Sequence, residues 1–169
     1  MKEFAYIHEE GKVPSTLRQV PFLHSFSEDH LDDILHASAI VECEPGDVII
    51  EEGKRDSRIY ILLAGEVEVS KDDEAISTIG KAGDIFGELA VVNDDARSAS
   101  VVALSRTFCL AVDQKFLQLI KPKDSNASFY AALYEFVARV TAKRLHHTTL
   151  ELAKVERELE QLKETQQLV

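Results

Sequence analysis

The chain has 169 residues, a length that suits one domain of ordinary size with an appendage and that can bury a core without disulfide or metal support. It carries 30 acidic against 19 basic residues, which gives a formal net charge of -11. This sign of charge argues against nucleic acid and against a membrane surface as partners, because both present dense negative charge.

The sequence also lacks the features of a secreted or membrane-spanning chain. No apolar run approaches the roughly 18 residues of a transmembrane helix, and the N-terminus has no apolar stretch of signal-peptide length. The two cysteines, Cys43 and Cys109, lie in apolar, strand-like segments, so we expect buried and reduced thiols. The expected location is the cytoplasm.

The predicted elements follow an N-terminal extension, residues 1–20. A short helix begins after Ser27, which is a good N-cap, and a second short helix begins after Asp113. Between them, turns rich in glycine separate short apolar runs, the clearest of which are residues 48–50, 59–63, 66–69, 100–104 and 107–112. About eight short strands with turn signals between them predict a β-sandwich or barrel.

The last part of the chain, residues 126–169, is predicted to be one long helix, because neither glycine nor proline occurs from Phe129 to Val169. It has six basic and six acidic residues, so the whole excess of negative charge belongs to residues 1–125. Its second half has the three-and-four spacing of a heptad seam, formed by Leu145, Thr148, Leu152, Val155, Leu159 and Leu162. We expect this half to pair with a second copy of the chain; the alternative is a surface helix packed only within its own chain.

The distribution of histidine argues against a metal enzyme. A metal site inside a β-roll needs imidazole and carboxylate ligands that converge from the strands. No histidine occurs between His36 and His146, and no cysteine–histidine pair or serine nucleophile motif has local support. We therefore expect neither an enzyme nor a bound cofactor.

One segment, residues 86–100, interrupts the strand pattern and has the composition of an anion site. Gly87 precedes a short apolar run suited to one or two helical turns, whose free N–H groups would face an anion. Arg97 would add a planar, permanent positive charge, and Ser98 a hydroxyl. On composition alone, a surface Arg97 paired with Asp94 or Asp95 and a solvated Glu88 are the favoured alternatives.

The residue order reverses that preference. Phe-Gly-Glu-Leu-Ala, followed after a short interval by Arg-Ser-Ala, resembles the phosphate-binding cassette of cyclic nucleotide-binding domains. Within that family the chain looks most similar to the bacterial catabolite activator proteins, over roughly residues 20–150. The resemblance implies a mainly β fold with flanking helices: a double-stranded β-helix (jelly-roll-like) over residues 21–125, followed by a dimerising coiled-coil helix over residues 126–169.

The resemblance also implies roles for single residues. Glu88 matches the glutamate that accepts from the ribose hydroxyl, and Arg97, with Ser98, matches the group that pairs with the cyclic phosphate. On the long helix, Thr148 and Thr149 match the hydroxyl residues that touch the adenine. The complete implied ligand set is Gly87, Glu88, Leu89, Ala90, Arg97, Ser98, Ala99, Arg144, Thr148 and Thr149.

The leading hypothesis is therefore a homodimeric cyclic-nucleotide sensor, for cAMP or possibly cGMP, that passes a change in helix pairing to an output domain or partner. The chain departs from the activators because no DNA-binding domain follows the helix, so DNA binding is not carried over. Two alternatives stay open. One is a dimerising interaction module with a degenerate pocket, in which Glu88 and Arg97 form a structural ion pair. The other is the truncated sensor part of a transcription regulator.

Overall fold

The computed structural model describes residues 1–6, 15–18, 20, 23, 27–89, 96–113 and 127–167. Three helices lie in these ranges: α1 (Ser15–Arg18), α2 (Glu28–His36) and α3 (Ala127–Gln167). The nine strands are β1 (Lys2–Ala5), β2 (Ser38–Cys43), β3 (Val48–Ile50), β4 (Arg58–Ala64), β5 (Val67–Lys71), β6 (Glu74–Ile79), β7 (Ile85–Phe86), β8 (Ser100–Ala103) and β9 (Thr107–Asp113).

The strands form two sheets. One has five strands in the order β1-β2-β9-β4-β7, and the other has four in the order β3-β8-β5-β6. All the pairings are antiparallel, and most neighbours in a sheet are far apart in the chain. This topology and the long helix after it confirm the predicted fold class.

An apolar core lies between the two sheets. The short strands alternate between inward and outward side chains, and the inward ones meet between the sheets. In the centre of the five-stranded sheet, β4 and β9 are buried on both faces, which explains their nearly continuous apolar runs. The core cluster consists of Val41, Cys43, Ile49, Ile50, Tyr60, Leu62, Val67, Phe86, Val101, Ala103, Cys109 and Ala111.

Several predicted turns and caps are present at the expected places. The β5–β6 hairpin closes with a two-residue loop, Asp72 and Asp73, whose φ values are 51° and 64°. Aspartate tolerates this left-handed conformation better than most residues, and two-residue hairpins need it. The helix predicted after Ser27 is α2, whereas the helix predicted after Asp113 falls outside the described residues.

Strand β1 was not predicted. The sequence analysis assigned residues 1–20 to an extension, but Lys2–Ala5 pair with β2 at the edge of the five-stranded sheet. All four side chains of β1 are exposed, so the segment has none of the alternating apolar pattern by which a strand is usually recognised.

The chain divides into two compact units, Met1–Ala132 and Leu133–Val169. The first contains both sheets, and the second consists of most of α3. The domain limits proposed from the sequence, at residues 20/21 and 125/126, remain predictions. Among the described helices, none is both long enough and apolar enough to cross a membrane.

Candidate functional site

The segment 86–100 connects the two sheets. It leaves β7 of the five-stranded sheet at Gly87, whose φ is 78°, and enters β8 of the four-stranded sheet at Ser100. Glu88 is only 2% exposed and Leu89 is 40% exposed, while residues 90–95, including the predicted site residue Ala90, lie outside the described ranges. The buried Glu88 contradicts the alternative in which this carboxylate is solvated.

Arg97 is the centre of the site. It is 5% exposed, and its guanidinium lies against the backbone at the start of the segment. Nη1 donates to the carbonyl of Gly87 at 2.7 Å, and Nη2 donates to the carbonyl of Arg58 at 2.6 Å. Nη2 also lies 3.1 Å from Oδ2 of Asp56, which makes an ion pair. The alternative of a surface arginine is therefore wrong.

One nitrogen of this guanidinium has no hydrogen-bond partner among the described residues. The Nε–H of Arg97 is buried and makes no hydrogen bond with the part of the chain that the structure describes. A buried N–H without a partner is costly, and a charged one more so, because it has lost water and gained nothing in exchange. The Nε–H of Arg97 is therefore a donor that suits an additional acceptor.

Two backbone hydrogen bonds also fix the position of Arg97. Its N–H donates to the carbonyl of Lys54, and its carbonyl accepts from the N–H of Gly53, both at 2.9 Å. The loop after β3 is thereby attached to the end of segment 86–100. Ser98, which is exposed, and Ala99, which is half-buried, follow Arg97 and lead into β8.

Asp56 is the residue that the sequence analysis missed. Its Oδ1 accepts from the backbone N–H of Arg58 at 3.2 Å, and its Oδ2 accepts from the hydroxyl of Tyr60 at 3.3 Å in addition to Arg97. Burial, and secondly the Asp56 carboxylate, raise the pKa of Tyr60, which stays a phenol that donates to this carboxylate. Asp56 lies 41 residues from Arg97, so no local motif connects them.

Arg97 lines an open cavity of about 220 Å³, whose other lining side chains include both positively and negatively charged groups. Three cations and two carboxylates line it, together with apolar residues of β3. The charged residues are Glu51, Lys54, Arg55, Asp56 and Arg97. The cavity lining therefore has a small net positive charge, whereas the chain as a whole has a net charge of -11.

The three site residues predicted on the helix lie in the second unit. Arg144, Thr148 and Thr149 are exposed on α3, and the Thr149 hydroxyl donates to the carbonyl of Leu145 at 2.8 Å. Their predicted part in a ligand site remains a prediction. In the described ranges, no group of three or more His, Cys, Asp or Glu side chains is arranged to hold a metal ion.

Comparison with known proteins identifies the class to which this site belongs. Residues 40–123 match the family model of the cyclic nucleotide-binding domain. The chain therefore belongs to the cyclic nucleotide-binding domain family through this segment, which confirms the resemblance drawn from segment 86–100. Domains of this family are regulatory binding modules rather than catalysts.

The curated relatives are mostly protein kinases and their regulatory subunits. The chain is 36% identical over 109 residues to a cGMP-dependent protein kinase of Plasmodium berghei, an alignment that covers 63% of this chain and 13% of the kinase. It is 42% identical over 89 residues to a cAMP-dependent protein kinase regulatory subunit of Hypocrea atroviridis, with 53% of this chain and 19% of the subunit covered. The chain thus spans less than a fifth of the length of these relatives.

A bacterial neighbour shares the fold. The catabolite activator protein of Thermus thermophilus superposes with a TM-score of 0.62 at 23% identity, and the superposition covers 80% of this chain and 63% of that one. The predicted likeness to this group is thus seen in the fold, whereas the two curated relatives described above are a kinase and a kinase regulatory subunit.

Proposed function

We propose that this chain is a cyclic-nucleotide sensor without catalytic activity of its own, located in the cytoplasm, which binds cAMP or, as second candidate, cGMP. The observation that carries the proposal is the pair of buried charged residues, Arg97, whose Nε–H has no partner among the described residues, and Glu88, which follows the Gly87 whose carbonyl Arg97 binds. A cyclic phosphate oxygen suits the first group, and a ribose hydroxyl suits the second as a donor to its carboxylate.

We propose the roles of the other residues of the segment from its resemblance to the family's phosphate-binding cassette. Arg97 pairs with the phosphate with help from Ser98, and Gly87, Leu89, Ala90 and Ala99 form the wall around the sugar and phosphate. Arg55 supplies local positive charge at the cavity, where Lys54 is paired with Glu51 at 2.6 Å. This local charge answers the problem posed by a net charge of -11, because attraction at a short distance outweighs a screened repulsion at long distance.

The choice between cAMP and cGMP depends on the helix residues. Arg144, Thr148 and Thr149 complete the proposed site, and the two threonines favour adenine by their resemblance to the activators. The relatives do not decide the matter, because their names include both cGMP-dependent and cAMP-dependent kinases.

The homodimer and the relay to an output partner or a downstream domain are also part of the proposal. Five apolar side chains at seam positions of α3 are at least 49% exposed: Leu145, Leu152, Val155, Leu159 and Leu162. A seam of this kind is buried when two helices pair.

Isothermal titration calorimetry with cAMP and with cGMP tests the ligand assignment directly. We expect the wild type to bind one of them, and Arg97→Ala to bind it at least about tenfold more weakly, because a charge-assisted hydrogen bond is lost. Arg97→Lys separates charge from geometry, since it keeps the charge without the planar fork. Arg106→Ala is the matched control, because Arg106 is exposed and pairs with Glu42. Absence of heat with both nucleotides for the wild type would overturn the assignment.

One observation favours a second candidate, a dimerising module with a degenerate pocket. Asp56 and two carbonyl groups already occupy both terminal nitrogens of Arg97. This refines the alternative expected from the sequence, since the carboxylate paired with Arg97 is Asp56. Thermal unfolding discriminates between the candidates: a ligand that binds only the folded state raises the midpoint with its concentration. An unchanged midpoint at millimolar nucleotide favours the degenerate pocket.

A further inference from the structure

A row of alternating charges runs from the N-terminal strand to Arg97. Oε2 of Glu3 lies 2.8 Å from Nη1 of Arg58. Arg58 Nε in turn lies 3.9 Å from Oδ1 of Asp56, and Asp56 Oδ2 lies 3.1 Å from Arg97 Nη2. The order is therefore carboxylate, guanidinium, carboxylate, guanidinium, with Glu3 at one end and Arg97 at the other.

Asp56 stands between two guanidinium groups but is shared unequally. Its contact with Arg97 has hydrogen-bond geometry, whereas its ion pair with the Arg58 side chain is at the limit of contact. The Arg58 side chain instead makes its hydrogen bond to Glu3. Arg58 thus has Glu3, and Arg97 has Asp56, as its principal carboxylate partner.

We propose that Glu3 is a positioning residue for Arg97, and that it acts by holding the Arg58 side chain away from Asp56. The proposal rests on the proposed function, in which Arg97 binds the phosphate of a nucleotide. It gives strand β1 a role in ligand affinity, although β1 contributes no group to the site. The side chains of β1 are exposed, and the strand is held by its backbone pairing with β2, by the Glu3 contact and by the ion pair of the Met1 ammonium group with Asp47.

The direction of the effect follows from competition for one carboxylate. When Glu3 loses its charge, the Arg58 guanidinium turns to Asp56 and displaces Arg97 from it. Arg97 then keeps only its two carbonyl partners and samples more conformations, so binding has to order it at a greater entropic cost. Because both members of the Glu3–Arg58 pair are more than a third exposed, we expect a modest loss, about two- to five-fold in affinity.

The test is a cycle of variants titrated with cAMP at low salt. Glu3→Gln is expected to weaken binding two- to five-fold, and Glu3→Gln combined with Arg58→Gln to restore it, because the competing guanidinium is gone while the Arg58 backbone carbonyl remains. Glu74→Gln is the matched control, since it removes an exposed carboxylate from β6 of the other sheet. A purely structural role of β1 predicts no restoration. Failure of restoration, or tighter binding by Glu3→Gln, overturns the proposal.

A second measurement needs no nucleotide and therefore separates this proposal from the proposed function. The Nε–H resonance of Arg97 in a ¹⁵N-labelled full-length chain reports the environment of its guanidinium. We expect it to shift in Glu3→Gln, to return in the double variant and to stay unchanged in Glu74→Gln. Equal spectra for Glu3→Gln and the wild type overturn the proposal, whereas a wild type that shows the shifts but binds neither cAMP nor cGMP overturns only the ligand assignment.

Discussion

At the scale of single residues, the site depends on how closely the backbone at Gly87 approaches Arg97. A Cβ built on Gly87 would lie 2.7 Å from Arg97 Nη1, 3.0 Å from Ile50 and 3.1 Å from the carbonyl of Arg58. The positive φ of 78° adds a backbone cost for any other residue. Glycine is therefore required here both by conformation and by the position of the guanidinium.

Gly87→Ala is expected to lower nucleotide affinity at least about tenfold, because the added methyl group pushes Arg97 out of its hydrogen bonds. Titration calorimetry measures the loss. Gly46→Ala is the control: Gly46 also has a positive φ, 89°, but a Cβ there meets nothing within 4 Å, and its N–H donates to Ala103 rather than to Arg97. The control substitution destabilises the backbone by a similar amount, about 1 kcal/mol, without contacting the guanidinium of Arg97. Equal affinities of the two variants would contradict the role assigned to Arg97.

At the scale of elements, α3 presents apolar side chains on a regular seam and one apolar side chain away from it. Leu152 and Leu150 are 57% and 54% exposed, so they differ little in surroundings within one chain. They differ in heptad position, because Leu152 lies on the predicted seam and Leu150 does not. Substituting each leucine in turn therefore separates a loss of helix pairing from the effect of placing a charge on an exposed part of α3.

Leu152→Asp is expected to convert the dimer to a monomer, since a charge in the seam would be buried without a partner. Sedimentation equilibrium of the full chain measures the dissociation constant, which should rise at least about a hundredfold for a lost interfacial leucine and a buried charge together. Leu150→Asp should leave it unchanged. A monomeric wild type, or equal effects of the two substitutions, would show that α3 does not pair through this seam.

At the scale of the whole molecule, the two cysteines report on the core between the sheets. Both thiols are fully buried and unpaired. Burial raises the pKa of Cys43 to about 11 and that of Cys109 to about 12, from an ordinary value of 9.0. The folded protein thus holds these thiols neutral at a pH where the unfolded chain ionises them.

The consequence is a loss of stability at alkaline pH. A group whose pKa is raised by folding contributes its full stability below the pKa of the unfolded chain and loses it above. The free energy of unfolding should therefore decline as the pH rises from about 9 towards 11 or 12. Urea unfolding at a series of pH values measures it, and Cys109→Ala should show a shallower decline than the wild type. Identical slopes would show that the Cys109 thiol is not held neutral.

Much of the fold followed from local pattern. The glycine-containing turns, the alternation of apolar residues and the absence of glycine and proline after Phe129 predicted the strands and the long helix correctly. Glu88 and Arg97 were predicted as site residues from a motif that lies within one short segment of the chain, and both are buried. Strand β1 escaped prediction because an exposed edge strand has no apolar face, and its partner β2 is more than 30 residues away.

The sequence by itself thus determined the element types, the concentration of negative charge in residues 1–125 and the motif that marks the nucleotide family. Only the tertiary structure decided which groups hold Arg97. Asp56, the Arg58 carbonyl and the Glu3–Arg58 pair come from three separate elements, and they meet only after the strands have paired. Local periodicity carries information about a residue and its near neighbours, whereas hydrogen bonds between distant segments depend on register and topology.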